Sequence, residues 1–137
     1  MYFRISIVLY TLVERIELDI KKSSGLIMHP TALPSKYGIG DFGNTSKEFI
    51  DFLEETSTNI WQVLPLGLTS LDEFSPYSSP SSILGNRYLI DIEQLDGFDS
   101  KNYNVENFSK EYVEYKKVYD FKDLVFKDLS QTINPDY

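Results

Sequence analysis

SGLIMHPTALPSKYGIGDFGNTSKEFIDFLEETSTNIWQVLPLG, residues 24–67, is the stretch on which the fold turns. Its opening, SGLIMHP (24–30), is a short apolar run closed by proline, the pattern of a buried strand that ends near His29. After a loop, Thr45 and Glu48 have the spacing of a capping box. Phe49, Ile50, Phe52 and Leu53 then recur at helical spacing up to about Glu55, which predicts an amphipathic helix. NIWQVLPLG (59–67) is a second apolar run, closed by proline and glycine. Strand, helix, strand makes a βαβ unit, whose strands are expected to be parallel and whose crossover is expected to be right-handed.

Inside this unit Gly38, Gly40 and Gly43 fall in the spacing G-x-G-x-x-G, which alone is the fingerprint of a dinucleotide-binding turn. Such a turn needs its first glycine at the strand end and an acidic residue about twenty positions on for the ribose. Seven residues, 30–36 with prolines at 30 and 34, separate the strand from Tyr37, and Trp61 and Gln62 stand where the acid belongs. Both requirements fail, and no cofactor is expected. The glycines read better as a compact turn with positive φ that delivers the chain to the helix.

The chain of 137 residues suits one domain, or part of one, and its 42% hydrophobic content is that of a chain with a core. A net charge of −8 repels phosphate backbones and anionic lipid surfaces, so neither nucleic acid nor membrane is an expected partner. There is no cysteine for a disulfide, a thiolate metal site or a nucleophile, and His29 is the single histidine. No metal is expected, and a cytoplasmic location fits. The apolar run at 5–13 is too short to cross a bilayer and leads into Glu14, Arg15, Glu17 and Asp19 rather than a cleavage site. Alternation at Phe3, Ile5, Ile7 and Leu9, then at Ile16, Leu18 and Ile20, reads as strand; residues 1–22 are otherwise an unassigned extension.

Beyond the second apolar run, residues 68–84 turn to Ser, Pro, Asp, Glu and aromatics. Loops at the carboxyl end of a parallel strand carry binding sites in α/β folds. RYLIDIEQL (87–95) reads as a short strand, and DGFDSKN as a turn. From 104 to 129, Val105, Phe108, Tyr112, Tyr115, Tyr119, Val125, Phe126 and Leu129 lie near one stripe, which predicts one or two amphipathic helices. Lys122 interrupts that seam, which favours packing within a larger domain over a dimerising coiled coil.

His29 is open to two readings, a packed side chain or a general base, and no second histidine supports a triad. Asp72 and Glu73 are adjacent acids on a solvated face, and Asp91, Glu93 and Asp96 miss the calcium-loop pattern because Leu95 takes a ligand position. EFSPYSSPSSILGN (73–86) sets Tyr77 among hydroxyls and prolines. An aromatic face for sugar C–H groups with hydroxyl donors beside it suits a carbohydrate, the alternative being a tyrosine buried under the loop.

SGLIMHPTALPSKYGIGDFG (24–43), FIDFLEE (49–55), WQVLPLG (61–67), SPYSSPSS (75–82), GN (85–86) and LID (89–91) together resemble, in order, the amino-terminal part of the amylomaltases. These are the 4-α-glucanotransferases, or disproportionating enzymes, of glycoside hydrolase family 77. The resemblance implies an α/β fold, the amino-terminal part of a (β/α)₈ barrel with an inserted loop and helical subdomain, over residues 23–137. It implies transfer of α-1,4-glucan segments between malto-oligosaccharides through a covalent glycosyl-enzyme, with anomeric configuration retained. The nucleophilic aspartate, the acid/base glutamate and a second aspartate of the family lie on later barrel strands, so no catalytic residue is expected in this chain, which alone should be inactive. Ser75 and Tyr77 inherit the donor-side glucose contact; Asp41 and Asn86 are weaker candidates. Departures are Ser57 where glycine is common, Leu68 for proline, Ser78 for glutamine, and Pro80 and Arg87. Two other expectations stay open: a non-catalytic α-glucan-binding module, or an acidic helical interaction protein built on 104–129.

Overall fold

The computed structural model describes residues 22–105 and 107–132; the alternating segment within 1–21 lies outside them. Two strands, β1 (Gly25–Ile27) and β2 (Ile60–Gln62), flank the helix α1 (Asn44–Glu55). The strands pair in parallel, with Gly25 opposite Ile60, Leu26 opposite Trp61 and Ile27 opposite Gln62, as the βαβ pattern requires. Phe49 of α1 meets Trp61 edge-on at 5.0 Å, and the Trp61 indole N–H donates to the Met28 carbonyl at 2.7 Å.

The strands are shorter and barer than the apolar runs suggest. β1 ends before Pro30, which has no N–H to give a ladder and opens a 3₁₀ turn at Pro30–Ala32. β1 is exposed along its length, and Ile27 keeps 66% of its surface in water. A parallel sheet is ordinarily covered on both faces, and among the described residues these two strands have no further strand beside them.

α1 does not use the expected capping box. Its N-cap is Gly43, with no side-chain cap, and Thr45 already lies inside the helix. Asp41 organises the entry instead: its Oδ1 accepts from the Gly43 N–H at 3.0 Å, and its carbonyl accepts from the Ser46 hydroxyl. At the other end the Ser57 N–H donates to the Glu54 carbonyl and the Thr58 N–H to the Leu53 carbonyl, a Schellman closure with Ser57 left-handed at φ 55°. Glycine, which the resemblance leads one to expect at this position, takes such a conformation without strain. Ser57→Gly should therefore stabilise the chain by about 0.5–1 kcal/mol, read as a higher urea midpoint.

A further difference from the sequence expectation is 87–95, which is not a strand. It forms two 3₁₀ turns, Arg87–Leu89 and Ile92–Gln94, because Asn86 and Asp91 each accept a hydrogen bond from the backbone N–H two residues on. Of the one or two helices expected over 104–129, one forms, α2 (Tyr115–Thr132), and it begins only after Glu114, whose carboxylate accepts from the Ser109 N–H.

One stripe of α2 builds the core. Phe121, Val125 and Leu129 pack with Tyr37 and Ile92, and Val118 and Tyr119 pack with Ile39 and Tyr88. The stripe that a coiled coil would need is thus covered from within the chain. The loop at 38–43 is tied to the turn at 87–89 by the Phe42 N–H, which donates to the Leu89 carbonyl at 3.0 Å. No helix among the described residues is long and apolar enough to cross a membrane.

Candidate functional site

Residues 68–84 form a loop whose two ends are pinned together. Gly67 and Gly85 make an antiparallel bridge, the Leu68 N–H donates to the Leu84 carbonyl, and the Asn86 N–H donates to the Leu66 carbonyl at 2.8 Å. The loop is also fixed to α2: the Thr69 and Tyr119 hydroxyls share a hydrogen bond of 2.6 Å, and the Phe74 ring stacks on Tyr115 at 5.0 Å. Inside it the Ser70 N–H donates to the Ser78 carbonyl, and the Ser78 hydroxyl donates to the Glu73 carboxylate.

On this frame Tyr77 is 73% exposed, which removes the reading of a tyrosine buried under its own loop. Ser75 is half-buried beside it, and its Oγ accepts from the Tyr77 N–H at 3.3 Å. The backbone direction at Tyr77 is therefore held by the hydroxyl two residues earlier. The pair is presented as one unit: a free aromatic face with a hydroxyl at its base.

Asn86 sits at the foot of the loop, 8% exposed, with its Oδ1 accepting from the Tyr88 N–H at 3.0 Å. It lines an open cavity of about 440 Å³ with Phe42, Leu66 and Ile90, and neither Ser75 nor Tyr77 is on that wall. Asp41 is 7% exposed and faces the ammonium of Lys122 at 3.5 Å. The four candidates thus divide into an accessible pair, Ser75 and Tyr77, and a buried pair already engaged in holding the fold.

Lys122 is what the sequence reading missed. Its side chain is wholly enclosed, and its Nζ donates to the Tyr88 carbonyl at 2.7 Å, to the Ile90 carbonyl at 2.8 Å and to Asp41. Burial lowers its pKa against the opposing pull of Asp41, and burial raises that of Asp41 against the pull of Lys122. The one legible signal was a lysine at a core position of an apolar stripe.

His29 is half-buried and burial lowers its pKa, so the imidazole is neutral at pH 7; its Nδ1 has no hydrogen-bond partner among the described residues. Asp91 spends one oxygen on the Glu93 N–H and the other on the Gln94 amide. Among the described residues there is no cluster of three metal-ligating side chains.

Three comparisons bear on what this arrangement is. The family model for 4-alpha-glucanotransferase, glycoside hydrolase 77, matches residues 28–135. The 4-alpha-glucanotransferase of Clostridium butyricum is 41% identical over 112 residues, 78% of this chain and 23% of that protein. That of Aquifex aeolicus is 46% identical over 101 residues, 72% of this chain and 21% of that protein. Among solved structures, amylomaltase from Streptococcus agalactiae in complex with acarbose superposes with a TM-score of 0.73 at 37% identity, over 81% of this chain and 23% of that one. The chain thus spans about a fifth of the length of these relatives. With its model matched across nearly all the described residues and 81% of the chain superposable on a solved member, the chain belongs to the 4-alpha-glucanotransferase family, glycoside hydrolase 77.

Proposed function

We propose that these residues are the amino-terminal part of a 4-α-glucanotransferase barrel domain, and that their part in the reaction is to hold substrate. The observation that carries this is Tyr77, an exposed aromatic ring on a loop pinned at both ends, with the Ser75 hydroxyl at its base. The ring would stack on a glucose of an α-1,4-glucan or malto-oligosaccharide, while Ser75 bonds a sugar hydroxyl. A family relative solved with acarbose supports a ligand of this class. Asn86 then acts by holding the foot of the loop, and Asp41 by holding the entry to α1 against Lys122, since both are buried and hydrogen-bonded.

The chemistry itself is assigned to carboxylates outside residues 1–137. One displaces the leaving glucan chain, whose oxygen takes a proton from a second carboxyl group, to form the glycosyl-enzyme; the 4-hydroxyl of an acceptor sugar then displaces the first carboxylate and gives its proton back to the second. Three of the acids near the loops are engaged within the fold: Asp41 with Lys122 and Gly43, Asp91 with its own turn, Glu73 with Ser78. A cytoplasmic site of action belongs to the same proposal.

The test is calorimetry of the purified chain with maltoheptaose, beside an assay for glucose release from maltotriose. Binding is expected, and Tyr77→Ala should weaken it about tenfold or more, the worth of one stacked ring. Glucose release in proportion to pure protein would overturn the placement of the catalytic carboxylates. Equal binding by the alanine variant would overturn the role of Tyr77.

A further inference from the structure

Phe74, the residue just before Ser75, is a β-substituted aromatic in a conformation that favours glycine, φ 53°. The strain has a local origin. The Phe74 N–H donates to the Ser70 carbonyl at 3.0 Å, closing a single helical turn over 70–74, and the chain leaves that turn through a left-handed residue. Glycine or asparagine fills such a place without penalty; phenylalanine does so only where its ring is held. The ring is indeed held. It stacks on Tyr115 at 5.0 Å with the planes 12° apart, and meets Tyr119 edge-on at 5.5 Å and 78°. Tyr119 is itself buried, stacked on Tyr88 at 3.5 Å and hydrogen-bonded to Thr69 at the start of the same loop.

We propose that Phe74 is a positioning residue: clamped by Tyr115 and Tyr119 of α2, its ring holds the left-handed turn that aims Ser75 and Tyr77 away from the core. This rests on the reading of Tyr77 as the sugar platform and adds the device that orients it. Through this clamp α2 sets the loop's direction. Within the 70–78 stretch the remaining ties are hydrogen bonds among exposed or half-buried serines, Glu73 and the backbone, which compete with water. The ring is what ties this stretch to the core.

The experiment uses the 137-residue chain and the variants Phe74→Ala, Phe74→Gly and Phe74→Tyr, with amide hydrogen exchange and maltoheptaose calorimetry as readouts. Phe74→Gly relieves the backbone and removes the ring, so it separates the two contributions. Expected are faster exchange over 69–84 in both the alanine and glycine variants, with α1 and α2 unchanged, and wild-type protection in Phe74→Tyr. Maltoheptaose binding should weaken about five- to tenfold in the alanine and glycine variants, because the loop must then be ordered on binding. Wild-type exchange over 69–84 in Phe74→Gly would overturn the clamp, and so would a loss of protection spread evenly over both helices. Faster loop exchange in a chain that binds no maltoheptaose would uphold the clamp while removing the sugar role of Tyr77. Maltoheptaose binding that is lost with Tyr77→Ala and unchanged by Phe74→Gly would do the reverse.

Discussion

Lys122→Ala should destabilise the chain by about 3–5 kcal/mol, the largest loss expected of any single side chain here, measured by urea unfolding followed by helical circular dichroism. The ammonium has three protons and three acceptors, the carbonyls of Tyr88 and Ile90 and the carboxylate of Asp41, and its residue has 0% exposure. Truncation strands all three at once. The buried Tyr88 carbonyl and the part-buried Ile90 carbonyl lose their donor, and a carboxylate that burial already penalises loses its counter-charge. Lys122→Met separates charge from volume, since it fills the space and restores no donor; a loss of about 3 kcal/mol is expected to remain. Adding Asp41→Asn should return part of that, because the amide can still accept from the Gly43 N–H while the unpaired charge is gone. A Lys122→Met variant within about 0.5 kcal/mol of wild type would show that the carbonyls and Asp41 find other partners, and the account of this site would fail.

Lys122 also shows where sequence reading stops. The periodicity that predicts α1 and the two flanking strands is local, and those elements are where it puts them. The length of the strands is not read from the apolar runs: β1 and β2 pair over three residues each, and β1 gives way to the turn that Pro30 opens. The stretch 87–95 alternates like a strand, but Asn86 and Asp91 spend their side chains on the next turn, and Lys122 takes the Tyr88 and Ile90 carbonyls that a ladder would need. That competition is set by a residue more than thirty positions away, as is the fate of Asp41, whose partner is 81 residues on. In the candidate site, the composition of 73–86 was enough to single out Tyr77. Its exposure and its aim follow from the clamp on Phe74, which no pattern near Tyr77 encodes.

Gly40→Ala should cost about 3 kcal/mol, or prevent folding at 37 °C, whereas Gly85→Ala should fall within about 0.5 kcal/mol of wild type. A methyl group at 40 would stand 2.0 Å from the Pro30 carbonyl oxygen and 2.7 Å from that of Leu33, both backbone atoms with no rotamer to escape into. The Pro30 oxygen already accepts from the Leu33 N–H, and the Gly40 N–H donates to the Thr31 carbonyl at 3.3 Å, so relief requires the 3₁₀ turn and the glycine loop to part. At Gly85 the same methyl meets nothing within 4 Å. The pair of variants therefore asks what the spacing G-x-G-x-x-G is for. Gly38 has the positive φ, 76°, and the Phe108 ring 2.6 Å from where its Cβ would be; Gly40 has an ordinary backbone and no room. One glycine turns the chain and the next lets it pass against the Pro30 turn, which sets the loop down where Asp41 meets Lys122. If Gly40→Ala unfolds at the wild-type urea midpoint, the loop is not held against that turn, and the packing that joins β1 to α2 through Asp41 must be assigned elsewhere.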